Sequence, residues 1–497
     1  MKRSLAILLC LLIIGSAAAG GFSLSHIDSA DELEFTEDII YGDPKELEGL
    51  NVRFTSSVSR FLDYWPRLGS FYWTTEACFD EGRVIAETEQ KYSFVRERNE
   101  VPERVDIRAT MSFSDNYDLM HPGLLENIRE KYSKEFENKE LISVVMPLKD
   151  IYAQYPLDFA VLGDYTVSPF SMASSNAAQN EAAFQKKAEE YFKFPIADDI
   201  KASLTIPKTG RTRVDILSGY SFERAMNIKK YGSFSTGDKI YFFFEAQTVG
   251  GIESTRYDYS LVPGGYGVYS VGIHYEDRAL VIDAESLTTL CSFGDETSIE
   301  ALSSSKDGNV IYVFAKENDE HKVYAVDAKT GEKLQKLSIC GADASQCLIQ
   351  KEEGYHLFGI RETYSEREEK GVIYVLEEDE RGFLSIALKA DIGEVTKGRN
   401  IHELLEYGQW INSEYGVGYS QYYNSVGLCN TYRDGKLYIA SPDINGDSDS
   451  PEYISRCGIA VAVFGKDGPL FFGNYKSSID GTSCEPQRYI KPEIRFE

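Results

Sequence analysis

A strand–turn–strand unit that recurs through the second half of the chain limits the fold more than any other feature. In Val323-Tyr-Ala-Val-Asp-Ala-Lys-Thr-Gly-Glu-Lys-Leu334 an apolar run meets Lys329-Thr330-Gly331 and a second run follows. Just upstream, Ser305-Lys-Asp-Gly-Asn-Val-Ile-Tyr-Val313 puts Asp307-Gly308 ahead of another apolar run. Asp and Gly supply the backbone conformations of tight hairpin turns, so both stretches predict hairpins.

Copies recur at long, regular steps. Ala279 to Leu290 aligns with Val323 to Leu334 when Asp283 is set on Asp327, a step of 44 residues. Val372 to Gly382 continues the series, and Ile459 to Gly468 follows after a longer step of 87, either two units or one with a large insertion. A second pattern, a turn followed by an apolar-Tyr strand, appears at Gly237-Asp-Lys-Ile-Tyr241, at Asp307 to Tyr312 and at Asp434-Gly-Lys-Leu-Tyr438. Periods of about 40–50 residues belong to four-stranded blades, which bury their faces only by stacking around an axis. The expected fold is mainly β: an N-terminal α+β domain over 46–205, then a β-propeller of about five or six blades over 212–492. A pair of β-sandwiches is the alternative for the second half.

Val323 to Leu334 resembles the repeat of quinoprotein-type (PQQ-like) propellers through Ala325, Asp327, Thr330 and Gly331. The preceding strand resembles the Ser-x-Asp-Gly signature of YVTN-type propellers. The resemblance implies a propeller. It does not imply a quinone, because the chain has only Trp65, Trp73 and Trp410 and Gln335 stands where the repeat has Trp.

The first half is organised differently. Leu50–Phe54, Phe71–Thr75 and Leu141–Met146 predict strands. Helices are expected over Leu124–Glu140 and Asn176–Lys193, the latter with Phe184, Ala188 and Tyr191 on one face and Ser174 or Ser175 as cap. Residues 25–45 are acidic and form a tether. Residues 1–24 combine Met1-Lys-Arg3, the apolar run Leu5–Ile14 and small residues through Gly20, the order of a signal peptide; with Phe22-Ser-Leu24 the uncharged stretch also suits a membrane anchor. Both readings place the rest of the chain outside the cytoplasm.

A net charge of −27 repels phosphate backbones, so nucleic acid is excluded as a partner. The eight cysteines are expected as buried free thiols, with a local loop closed by Cys340 and Cys347 as the alternative. No nucleophile elbow or phosphate loop is present, and His402-Glu-Leu-Leu-Glu406 lacks the second histidine of a zinc helix, so no catalytic residue is assigned. Asp443, Asn445, Asp447 and Asp449 alternate as calcium ligands do. Tyr407, Trp410, Tyr415, Tyr419 and Tyr422 sit among Gly, Ser and Asn, a composition suited to ligand binding. The expected function is a binding scaffold for an envelope or extracellular protein. An extracellular hydrolase or a glycan-binding protein is the alternative.

Overall fold

A computed structural model of the chain describes residues 35–57, 70–80, 83–93, 104–111, 113, 120–167, 171–176, 178–209, 211–217, 225–249, 255–277, 279–341, 345–365, 368–391, 429–442, 458–477, 485–486 and 493–496.

Small antiparallel sheets follow one another along the chain. Sheet one holds Leu50–Ser57, Ser70–Asp80 and Arg83–Ser93; sheet two holds Arg104–Met111, Leu157–Val167 and Ser171–Asn176. Sheet three runs Met226–Ser235, Lys239–Thr248, Gly267–Glu276, Ala279–Ser292, and sheet four runs Thr297–Ser304, Val310–Glu317, Glu320–Asp327, Lys333–Gly341. Sheet five is Ser345–Lys351, Tyr355–Ser365, Glu368–Glu378, Leu384–Asp391, and sheet six is Cys429–Arg433, Lys436–Pro442, Gly458–Gly465, Gly468–Ser477. Successive first strands pack on each other: Arg104–Met111 on Met226–Ser235, that strand on Thr297–Ser304, and Thr297–Ser304 on Ser345–Lys351. Sheets five and six meet through Leu384–Asp391 and Gly468–Ser477. The result is the propeller-type arrangement expected of a mainly β chain.

The two chain ends interlock sheets six and one. Phe35–Gly42 adds to the outside of sheet six, antiparallel to Gly468–Ser477, and Glu493–Phe496 pairs with Leu50–Arg53 in sheet one. Residues 35–42, expected within an acidic tether, therefore form a strand. Their partner lies more than 400 positions away, so no local pattern announces it. The 46–205 segment likewise shares its first sheet with the C-terminus.

The turns explain which repeat copies are genuine hairpins. Gly308 and Gly435, with φ of +74° and +75°, close the first turns of sheets four and six. Gly331, at φ +73°, closes the turn after Asp327, whose carboxylate accepts from Lys329 N, Thr330 N and Thr330 Oγ1. The copy at 279–290 is different: Ala279–Ser292 is one strand with a bulge where the hairpin was expected. It has no glycine at the turn, and Ser286 Oγ fills the gap, accepting from Gly272 N at 2.6 Å and donating to Asp283 O at 2.6 Å. Val372–Gly382 and Ile459–Gly468 are third strands and turns of consecutive sheets, so the 87-residue step is one unit with insertions.

The described α-helices lie between 124 and 191. The first expected helix divides at Tyr132 into Leu124–Lys131 and Ser133–Phe136. The second runs Glu181–Tyr191, burying Phe184 and Ala188. Its cap is not Ser174 or Ser175, which pair with Asp164 and Gly163 in sheet two; the chain turns into the helix at Asn180, φ 67°. Helix residues complete the neighbouring strand: Gln185 Oε1 accepts from Phe159 N at 2.8 Å and Glu181 Oε1 from Val161 N at 3.0 Å. An accessory sheet (Leu141–Pro147, Lys201–Pro207, Arg213–Ile216) packs Ala202, Leu204, Ile206 and Val214 onto the same core. That core is aromatic, with Phe192 4.7 Å from Tyr269 and 5.0 Å from Phe244, edge to face.

The join between the chain ends can be tested at Gly42. Its φ is +87°, and a Cβ there would lie 1.9 Å from Leu470 O. Gly42→Ala should cost ~2 kcal/mol or more in urea unfolding. Gly435→Ala, with φ +75° and nothing within 4 Å, should cost only about 1 kcal/mol.

Candidate functional site

The sheets present two different edges. Short turns at 305–309, 352–354, 379–383 and 434–435 mark one, the turn edge. The connections 249–266, 392–428 and 443–457 leave from the other, the loop edge. Each edge carries a cluster of polar side chains between neighbouring sheets.

The turn-edge cluster is built from the last residues of first strands. Asp307 shapes the turn of sheet four by accepting from Asn309 N and Ser305 Oγ, which fixes Ser303, Ser304 and Ser305 at the strand end. Lys351 ends the first strand of sheet five and is in register with His356 on the second. His356 is completely buried, its Nε2 is 2.7 Å from Ser303 Oγ, and its ring lies edge-on to Tyr312 at 5.0 Å. Its Nδ1 has no partner among the described residues. Burial, with Lys351 adding a smaller effect, pushes the imidazole pKa down to about 3, so the ring is neutral. Lys351 Nζ donates to Ser304 Oγ at 2.8 Å and Ser305 O at 2.9 Å; desolvation lowers its pKa, opposed by the charges of Glu378 and Asp307. The Glu378 carboxylate accepts from Lys306 N, and Tyr312 donates to Gly382 O at 3.0 Å. Towards sheet six, Tyr355 donates to Asn430 Oδ1 at 2.6 Å and Asn430 Nδ2 donates to Glu352 Oε1 at 3.1 Å.

The loop-edge cluster joins sheets three and four around Glu245, which accepts from Ser298 Oγ at 2.7 Å and Tyr266 OH at 3.3 Å. Arg256 stacks 3.8 Å over the Tyr266 ring, lies 3.9 Å from Glu245 Oε1, and donates to the carbonyls of Gly294 and Thr297. Lys230 donates to Ser298 Oγ at 3.1 Å. Next to it, Glu317 accepts from Tyr324 OH and Thr297 Oγ1 and pairs with Lys322 and Lys336; these contacts, Lys336 foremost, pull its pKa down to about 2.

Serine beside a neutral imidazole, or beside an amine of lowered pKa, is the pairing used to activate a nucleophile. Here the histidine pair is sealed from water, and among the described residues no group orients Nδ1. The lysine pair has one exposed member, Lys351. Both clusters chiefly bind one sheet to the next. Sequence inspection missed them, although a signal exists: Glu245 lies between Phe242-Phe-Phe244 and Ala246, and His356 lies between Tyr355 and Leu357. A polar residue within an apolar strand that is buried on both faces needs a partner inside.

The proposed calcium ligands Asp443, Asn445, Asp447 and Asp449 lie outside the described residues, as do Tyr407, Trp410, Tyr415, Tyr419 and Tyr422 and the His402–Glu406 stretch. The strands flanking the two acidic and aromatic segments end and restart at the loop edge. Among the described residues, no three His, Cys, Asp or Glu side chains converge to hold a metal, and no helix is long and apolar enough to cross a membrane. Cys291 is a buried free thiol whose pKa burial pushes up to about 11. The Cys347 side chain, and with it the Cys340–Cys347 pairing, is outside the described set.

No protein-family model matches the chain, and no curated protein matches it. Among solved structures, it is similar to a putative 6-phosphogluconolactonase from Bacteroides uniformis at 11% identity and TM-score 0.27, covering 90% of this chain and 99% of that one. The β-propeller domain of Cps50 (Swd1) from Myceliophteria thermophila aligns at 13% identity and TM-score 0.21, covering 56% and 93%. An α-L-arabinofuranosidase from Clostridium thermocellum aligns at 8% identity and TM-score 0.21, covering 52% and 95%. Likeness this slight gives the chain no activity.

The His356 pair has a measurable consequence. The unfolded chain takes up a proton near pH 6.5 that the folded chain refuses until about pH 3. The associated stability is whole above pH 6.5 and is lost as pH falls towards 3, by up to about 1.4 kcal/mol per pH unit. In calorimetry, His356→Phe should show a smaller drop in Tm than the parent between neutral and mildly acidic pH.

Proposed function

We propose that the chain is an exported binding protein that holds a partner protein at the loop edge of its propeller. One observation carries this reading: in sheets three, five and six the long connections 249–266, 392–428 and 443–457 all leave from the same edge. Recognition sites commonly sit on loops held by a rigid scaffold. Here the scaffold under 255–266 is stiffened by Arg256, Tyr266 and Glu245, which anchor that connection to sheet four. Replacing 393–427 with a short Gly-Ser linker should leave the melting temperature within a few degrees and abolish crosslinking to an envelope protein. Retained crosslinking would sink the reading.

A second reading, hydrolysis of an extracellular polymer, is favoured by the Ser304–Lys351 pair, an amine of lowered pKa 2.8 Å from a serine hydroxyl. It requires turnover that Ser304→Ala removes without change in melting temperature. Equal turnover by parent and variant excludes this serine.

A further inference from the structure

The Phe35–Gly42 strand is the outermost of sheet six. One edge pairs with Gly468–Ser477, and the other meets no strand among the described residues. Proteins normally blunt such an edge with lysine, proline or a covering segment, because its open N–H and C=O groups recruit other strands. Phe35–Gly42 carries no lysine or proline, and its register shift between Ile39 and Tyr41 is the one such device within it. Ile39, Ile40 and Tyr41 are consecutive and 41%, 37% and 51% exposed. The register shifts between Ile39 and Tyr41, which places a bulge at the centre of the run. Three successive apolar side chains on an open edge are costly to leave in water and hazardous in an exported protein.

The surrounding charge indicates what covers them. Glu37 comes before the run, and Asp43, Glu46 and Glu48 follow it against a single lysine, Lys45. Lys436, which reaches the segment beyond, is already held by Glu46 at 2.6 Å. A second copy of this chain would bring these acids against their own equivalents and add another net charge of −27, and like charges facing each other across paired strands are destabilising. We infer that this edge receives an extended segment of a partner protein, with alternating apolar and basic residues, as an added strand. Backbone pairing supplies the affinity and charge complementarity selects the partner. This surface is separate from the loop edge, so either assignment can fail without the other.

The test uses the full chain and a fluorescent peptide of alternating Lys and Val, about eight residues long to match the strand it joins. A Glu–Val peptide of equal length is the comparison. The Lys–Val peptide should bind, weaken as salt rises, and slow hydrogen exchange at Ile39–Tyr41. The double variant Ile39→Lys, Tyr41→Lys should weaken binding on the order of tenfold. Leu141→Lys, Val145→Lys should not, although these residues are 54% and 59% exposed on the open strand of the accessory sheet. Equal binding of the Glu–Val peptide, unchanged affinity in the Ile39/Tyr41 variant, or unprotected Ile39–Tyr41 amides in the parent would each overturn the inference. So would a dimer in sedimentation that the same variant abolishes, since the occupant would then be a second copy. Should that variant unfold, hydrogen exchange in the parent decides alone.

Discussion

Everything in this molecule depends on strands from opposite ends of the chain pairing across the join between the last sheet and the first. A four-stranded blade has two apolar faces and cannot bury them alone, so each sheet is stable only between neighbours. Phe35–Gly42 on Gly468–Ser477, and Leu50–Arg53 on Glu493–Phe496, give the first and last sheets that neighbour. The core beneath the join draws on both ends: Leu50, Val52 and Ala77 pack with Val461, Phe471 and Tyr475. These contacts span nearly the whole chain, so their loop-closure cost falls late in folding.

Between the sheets, polar groups do what apolar packing cannot. Apolar faces can slide on each other, whereas a hydrogen-bonded pair has one geometry. Ser303–His356 and Tyr312–Gly382 fix sheet four against sheet five, Tyr355–Asn430 fixes five against six, and Glu245–Ser298 fixes three against four. Each removes polar atoms from water and is tolerable only because partners are supplied. Stiff sheets carrying long connections on one edge are well suited to recognition, and the open Phe35–Gly42 strand adds a second, independent surface.

Local patterns were legible where local chemistry suffices. Asp307-Gly308, Asp434-Gly435 and Lys329-Thr330-Gly331 mark real turns, because a glycine at positive φ is a requirement of a few adjacent atoms. The same pattern misled at 279–290, where one serine, Ser286, lets the strand continue through a bulge. Ser174 and Ser175 suit a helix cap, but pairing with sheet two satisfies their backbone first. The polar clusters were not legible, since Ser303 and His356, or Glu245 and Ser298, are more than fifty positions apart and neither member is unusual alone.

The sequence by itself determined the period, the turns and the mainly β character, because backbone sterics and strand alternation act over a few residues. It also set the acidic charge, whose field opposes the approach of a phosphate backbone. Only the tertiary structure decided that residues 35–42 are a strand, that the chain ends share sheets, and that histidine, lysine and glutamate side chains are committed between sheets. Those outcomes depend on which distant surfaces meet, and the free energy of burying them is assigned only when the sheets close on one another.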